Sequence, residues 1–167
     1  MRSWIQKHSI LLSFLLVLAV MVMIYCFSAQ TGEESGAMSG RITGWLLSVL
    51  VPDFENMPQE NQQNLKDTLG LVIRKLAHFT EYALLGFALL LHISQVQKKI
   101  SVRLPALWAW GIGTLYAASD EFHQSFVGGR GPAVTDVMID SAGVIAGALI
   151  MAWLLHRKNR NRQFLKG

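Results

Sequence analysis

A run of nineteen residues without a charge, from Ser9 to Phe27, is the feature that most constrains this chain. About 20 helical residues cross a bilayer core roughly 30 Å thick. Arg2 and Lys7 precede the run, as they would in a secretory signal peptide, but its length and the poor cleavage site after it favour a retained anchor. Three more apolar segments follow at about residues 72–95, 104–122 and 137–156. The sequence therefore predicts an all-α membrane bundle of about four transmembrane helices.

The overall composition agrees with a membrane protein and argues against a nucleic-acid partner. Hydrophobic residues make up 51% of the chain and charged residues only 16%, against about 25% charged in soluble domains. The net charge of +4 comes from short basic groups beside the apolar segments, not from a basic surface. The single cysteine, Cys26, excludes an intramolecular disulfide, and its apolar surroundings predict a buried small side chain.

Basic residues are segregated along the chain in a way that orients it in the membrane. Ten Lys and Arg residues, with no acid among them, lie in three groups beside the apolar segments: Arg2, Lys7, Lys98, Lys99, Arg103, Arg157, Lys158, Arg160, Arg162 and Lys166. Such groups stay on the cytoplasmic side of a membrane. We therefore predict that both termini are cytoplasmic and that residues 29–71 form an outer loop.

The outer loop contains its own helical pattern. Apolar residues recur at helical spacing, and Pro52 ends the run; these residues are Met38, Ile42, Trp45, Leu46, Val49 and Leu50. The pattern predicts an amphipathic helix that either lies on the outer membrane surface or caps the bundle.

Ionisable residues collect at the outer ends of three apolar segments, although each costs several kcal/mol inside a membrane unless it is paired or hydrated. Arg74, His78 and Glu81 share a narrow stripe of segment two. Segment three ends with Asp120, Glu121, His123 and Gln124, and Arg130 follows it. Segment four opens with Asp136 and Asp140, and Gly143 and Gly147 continue their stripe, which predicts close approach of another helix. We expect the three clusters to meet at one depth.

These groups also have simpler interpretations. Lys75 lies off the stripe and is interpreted as an interfacial anchor, while Arg130 could be an ordinary loop charge. Asp136 could cap the N-terminus of its helix, and His78 with Glu81 could form a structural pair. Taken together, Arg74, Lys75 and Arg130 supply three positive charges against five carboxylates. Protons, a cation or a cationic part of a ligand could offset the difference.

At these residues the sequence resembles the VanZ-like family of bacterial membrane proteins. The resemblance extends from Phe27 to Gly147 and rests on three motifs: Arg74-Lys75-x-x-His78-Phe79-x-Glu81-Tyr82, Asp120-Glu121-x-His123-Gln124-x-Phe126 with Arg130, and Asp136-x-x-x-Asp140-x-x-Gly143. Ser35 and Ser39 resemble the family's serine-containing stretch. The resemblance implies one membrane domain over residues 1–167, in the cytoplasmic membrane of a bacterial cell envelope. Some members of the family are linked to resistance to the lipoglycopeptide teicoplanin, which makes such a role an expectation for this chain. Asn is frequent at the Asp140 position in related sequences.

The first functional hypothesis is a protein that binds an amphiphile at the outer leaflet. Arginines would hold its phosphate or carboxylate. The partners would be the bilayer and a lipid-linked envelope precursor or a lipoglycopeptide. The predicted ligand-binding residues are Arg74, His78, Glu81, Tyr82, Asp120, Glu121, His123, Gln124, Arg130, Asp136 and Asp140.

The alternative is an intramembrane hydrolase or transferase acting on a lipid-linked envelope substrate. His78 or His123 would be the general base, with Glu81 and Asp120 as further catalytic candidates. Carboxylates and imidazoles at this density could hold a divalent metal, but the His-Glu-x-x-His spacing is absent, and we predict neither a metal nor a cofactor. A proton-coupled carrier is a third hypothesis, although the inner halves of the segments offer no continuous polar path.

Overall fold

The structure is a computed structural model that describes residues 2–97 and 103–164, with side chains described between residues 4 and 161. Lys98, Lys99 and Lys166, and the side chains of Arg2 and Arg162, lie outside the described part. Within it the chain forms five α-helices and one short 3-10 helix, Phe54–Asn56, and contains no strand. The α-helices are α1 (Arg2–Ser28), α2 (Gly32–Leu50), α3 (Gln59–Val96), α4 (Arg103–Gln124) and α5 (Val134–Phe164). The predicted all-α fold is confirmed.

Each of the four apolar segments lies within a separate helix, but the helices differ in their suitability for crossing a membrane. In the described part of the chain, α1, α3 and α5 contain stretches long and apolar enough to span a bilayer. The fourth, α4, does not meet that standard, and its uncharged stretch, from Leu104 to Ser119, has only sixteen residues. Helix α3 begins thirteen residues before the predicted start of segment two, so much of the predicted outer loop is helical.

Helix α2 occupies the position predicted for the amphipathic helix. It begins with a capping box, in which Glu34 N–H donates to the Thr31 hydroxyl (3.2 Å) and Thr31 N–H donates to the Glu34 carboxylate (2.8 Å). The bond from Thr31 N–H, and a second bond that the Thr31 hydroxyl donates to the same carboxylate (3.0 Å), lower the pKa of Glu34 from its ordinary value, the backbone bond most. Ser39, Thr43 and Leu47 are buried against α3. The apolar residues Met38, Ile42, Trp45, Val49 and Leu50 are instead exposed.

Helices α3 and α5 form the centre of the bundle through direct backbone contact. A Cβ added at Gly147 would overlap the carbonyl oxygen of Ala83, and one added at Gly143 would overlap that of Phe79. On the facing helix, a Cβ at Gly86 would overlap the carbonyl oxygen of Val144. The close approach predicted from the glycines of segment four is therefore present, and it fixes the depth of residues on α3 relative to α5.

Helix α1 packs against α3 and α4 through a mixture of apolar and polar contacts. Ile24 is buried in the core, and the Tyr116 hydroxyl of α4 donates to the carbonyl oxygen of Met21 (2.8 Å). Toward the other end of the bundle, the Ser13 hydroxyl lies 3.0 Å from His92 Nδ1. Cys26 is exposed, so the prediction that it is buried was wrong, because an apolar residue in a membrane helix need not face the protein core.

Candidate functional site

A central cavity of about 130 Å³ lies between α3, the turn after α4 and the start of α5. Helix α3 contributes Arg74 and His78, which lie one turn apart on the same face, and the adjacent Lys75 to its wall. The opposite wall comes from Gln124 and Arg130 and from two acids one helical turn apart, Asp136 and Asp140. The expected meeting of the three polar clusters is therefore present in the fold.

A second, apolar cavity of about 240 Å³ adjoins the first and lies between the end of α1, α2 and α3. Its wall is mainly carbon, from Phe27, Met38, Ile42, Ile73 and Ala77. Arg74, His78 and Arg130 line both cavities, and Glu81 joins them in the second. The two cavities together therefore suit a molecule that has both a charged group and a hydrocarbon part. The charged group would lie beside the shared polar residues, and the hydrocarbon would lie in the apolar cavity.

The two arginines lack carboxylate partners within the described part of the chain. Arg130 donates hydrogen bonds to Gln124 Oε1 (3.0 Å) and to the carbonyl oxygen of Phe27 (3.2 Å), both neutral acceptors. Arg74 makes no hydrogen bond or ion pair with a described residue, and its Nε is buried. Burial, followed by the nearby positive charge of Arg74, lowers the pKa of Arg130 from its ordinary value, while Asp120, Glu121 and Glu81 act in the opposite direction. Two guanidinium groups therefore share one partly buried space.

Three of the acids are held by other groups. Lys75 Nζ and Asp136 Oδ1 form an ion pair at 2.5 Å that joins α3 to α5. Lys75 is thus a helix-to-helix contact and not the isolated interfacial anchor that its position off the stripe indicated. Gln124 Nε2 donates to Asp120 Oδ2 (3.1 Å), and Ala133 N–H donates to Glu121 Oε1 (2.5 Å). These contacts fix the turn that carries Arg130.

His78 and Asp140 form the remaining polar pair of the central cavity. His78 Nδ1 lies 3.8 Å from Asp140 Oδ1, beyond ordinary hydrogen-bond length. Asp140 is only 1% exposed, and its Oδ1 has no hydrogen-bond partner in the structure. Asp140 therefore lacks a close cationic partner among the described residues, although a buried carboxylate needs one.

A comparison with protein families identifies the chain. The family model described as VanZ/LLP1 matches residues 13–155, which include every residue that lines the two cavities. The chain belongs to the VanZ/LLP1 family. Comparisons with curated proteins and with solved structures found no match.

Some of the residues that carry the VanZ-like motifs lie away from both cavities. Tyr82 is fully buried in the core beside Tyr116, with ring centroids 6.3 Å apart. The His123 ring packs near Tyr25 of α1, with centroids 5.0 Å apart. Asp120 and Glu121 support the Arg130 turn and do not line either cavity. Of the proposed catalytic candidates, His78 and Glu81 together line the apolar cavity.

Within residues 2–97 and 103–164, no three His, Cys, Asp or Glu side chains come together so that they could hold an ion. His78 and Asp140 place one imidazole and one carboxylate side by side in the central cavity. The other carboxylate there, that of Asp136, forms an ion pair with Lys75.

One part of the site that sequence reasoning missed is the junction between α2 and the Arg130 turn. Gly32 N–H donates to the carbonyl oxygen of Gly128 (3.0 Å), and a Cβ added at Gly32 would overlap the carbonyl oxygen of Gly129. Gly129 has a φ of 77°, a conformation that other residues rarely adopt. The Thr31-x-x-Glu34 pattern could have indicated the start of α2, but no local pattern indicates this long-range contact.

Proposed function

We propose that this VanZ/LLP1 family member is a multi-pass protein of the bacterial cytoplasmic membrane that binds an amphiphilic or lipid-linked ligand at the outer leaflet. The observation that supports it most is the pair of guanidinium groups, Arg74 and Arg130, which share one space and form no ion pair with a carboxylate of the described residues. Like charges that are partly buried together repel, and an anionic ligand removes that cost. Guanidinium groups suit phosphate or carboxylate, because they donate two parallel hydrogen bonds.

The arrangement of charge supports four crossings with both termini in the cytoplasm. Lys7, Arg103 and the basic end of α5 lie at one end of the bundle, and the two cavities lie at the other. In this topology α4 crosses beside α3 and α5, whose contacts compensate for its short apolar stretch. The exposed apolar face of α2 would then lie in the outer interface of the membrane.

Labelling of single cysteines tests this topology. In a Cys26→Ser background, a membrane-impermeant thiol reagent added to intact cells should modify Asn61→Cys, at the outer start of α3. It should leave Asn159→Cys unmodified until the cells are opened, because that position lies in the basic end of α5. Reversed labelling would place the cavities on the cytoplasmic side and would contradict the proposal.

Binding of an anionic lipid tests the role of the arginines. Purified protein in phosphatidylcholine nanodiscs should bind added phosphatidic acid, and Arg74→Ala should weaken this binding about tenfold or more. A hydrogen bond to a charged group is worth about 1.5–3 kcal/mol, and 1.4 kcal/mol is a factor of ten. Arg41→Ala is the matched control, since Arg41 is exposed on α2 and lines neither cavity. Equal affinities for wild type and Arg74→Ala would reject the proposal.

A second candidate function is favoured by the His78–Asp140 pair in the central cavity. A buried acid beside an imidazole is the arrangement that orients a general base, and apo distances are often long. The corresponding activity would be hydrolysis of, or group transfer to, a lipid-linked envelope substrate. A role in teicoplanin resistance rests on association with the VanZ-like family, since fold membership alone does not fix function.

A further inference from the structure

A third depression, the polar groove, lies between α2 and the N-terminal part of α3 and has a volume of about 360 Å³. Polar side chains line it along α3, at Gln63, Lys66 and Asp67, and Gly36 and Gly40 line it along α2. It ends at Arg74, which therefore lines the central cavity, the apolar cavity and the polar groove. This arginine is the junction of three spaces of different character.

The groove is open and offers both donors and acceptors. A Cβ added at Gly40 would meet nothing within 4 Å, and one added at Gly36 would lie 3.7 Å from Nη2 of Arg74. Gln63 Nε2 donates to Asp67 Oδ1 (2.9 Å), which leaves the other carboxylate oxygen for other partners, and the Lys66 ammonium lies 5.6 Å from the centroid of the Phe54 ring. The charges of Lys66 and Asp67 offset each other, so the groove favours a neutral polar group over an ion.

The groove is also long compared with a phosphate. From Gln63 to Arg74, α3 advances about 16 Å, because each helical residue adds about 1.5 Å. A phosphate held by Arg74 would fill only one end. Hydroxyl groups both donate and accept hydrogen bonds, which matches a wall that contains an amide, an ammonium and a carboxylate.

We propose that the ligand is a phosphate-bearing lipid whose phosphate carries a neutral, hydroxyl-rich head group. This inference rests on the proposed function and specifies its ligand. The phosphate contacts Arg74 and Arg130, the hydrocarbon lies in the apolar cavity beside Ile73 and Ala77, and the head group lies along the polar groove. Each part of the molecule thereby meets a wall of its own polarity, and Arg74 is the point at which the three parts meet.

The test compares two lipids that share a phosphate and acyl chains but differ in the head group. Phosphatidylinositol carries a hydroxylated ring, and phosphatidic acid carries none. In phosphatidylcholine nanodiscs analysed by native mass spectrometry, wild type should prefer phosphatidylinositol about tenfold, the effect of one or two added hydrogen bonds. Gly40→Leu, which fills the groove, should reduce the ratio of the two affinities to about twofold or less.

Two matched variants control for effects on folding. Gly44→Leu places the same side chain one turn further along α2, also with nothing within 4 Å, and should keep the preference because Gly44 does not line the groove. Gln63→Ala removes a polar group without adding bulk and should also lower the preference. In the apolar cavity, Ala77→Trp should weaken binding of both lipids, whereas Leu76→Trp on the exposed face should not.

The outcomes separate this inference from the proposed function. If Arg74→Ala loses phosphatidic acid but wild type shows no preference for phosphatidylinositol, the head-group assignment is wrong and anion binding stands. The same holds if Gly40→Leu and Gln63→Ala both keep the preference. If inorganic phosphate, at the same concentration as the lipid, displaces each of the two lipids, the site binds phosphate and not a lipid. If Arg74→Ala changes nothing, the proposed function fails, and this inference fails with it.

Discussion

Gly147→Ala is expected to disrupt the folded bundle. The added methyl group would overlap the carbonyl oxygen of Ala83 and would also lie 2.9 Å from the backbone nitrogen of Phe87. These are backbone atoms of a continuous helix, so they cannot move aside as the end of a side chain can. Overpacking of a core costs about 1–3 kcal/mol and sometimes more, and separation of α3 from α5 would also loosen the contacts at Gly86 and Gly143. Thermal unfolding in detergent micelles, followed by circular dichroism and size exclusion, should show a large drop in midpoint.

Gly111→Ala is the control for this experiment. Gly111 lies inside α4, and a Cβ added there would meet nothing within 4 Å. Because Ala favours a helix interior over Gly by about 1 kcal/mol, the midpoint should stay the same or rise slightly. If Gly147→Ala were as stable as Gly111→Ala, the close approach of α3 and α5 would be refuted.

Gly32→Ala is expected to abolish most lipid binding while the protein stays folded. The methyl group would collide with the carbonyl oxygen of Gly129 and break the bond from Gly32 N–H to Gly128. The N-terminus of α2 would then move away from the turn that carries Arg130, and the apolar cavity would lose one wall. Affinity for phosphatidic acid in nanodiscs should fall at least about tenfold, as expected when a positioning contact for a charged group is lost.

The same experiment carries an independent structural readout. Amide hydrogen exchange should increase at the start of α2 in Gly32→Ala and stay slow in α3 and α5. Gly44→Ala, which meets nothing within 4 Å on the same helix, should alter neither affinity nor exchange. Faster exchange with unchanged affinity would show that α2 does not form part of the binding site.

Sequence patterns predicted the helices well where hydrophobicity alone determines them. The uncharged run from Ser9 to Phe27 lies within α1, and the pattern ended by Pro52 corresponds to α2. The first part of α3 was missed, because residues 59–71 are rich in Gln, Asn and charge and show no membrane-like run. Packing against α2 stabilises that part, and such tertiary support cannot be read from local composition.

The site was partly predictable for a related reason. Residues one turn apart on a helix share a face, so Arg74 with His78, and Asp136 with Asp140, were expected to lie together, and both pairs line the central cavity. The rotation of one helix against another is set by packing and not by spacing. For that reason the Lys75–Asp136 ion pair and the position of His123 beside Tyr25 were not foreseen. The resemblance to the VanZ-like family, drawn from the same motifs, is confirmed by the family match.

Backbone contacts at Gly86, Gly143 and Gly147 close the seam between α3 and α5 over about two helical turns, from Phe79 to Phe87 of α3. Helices that touch through their main chains leave no gap through which an acyl chain could pass, and they cannot part without loss of core packing. On the other side, α2 is held to α3 through the small residues Ser39 and Thr43 and through Leu47, and it is tied to the turn at Gly128 by one hydrogen bond. We therefore expect a lipid that enters or leaves the site to pass beneath α2. The lifetime of the bound lipid is then set by how often α2 moves away from α3.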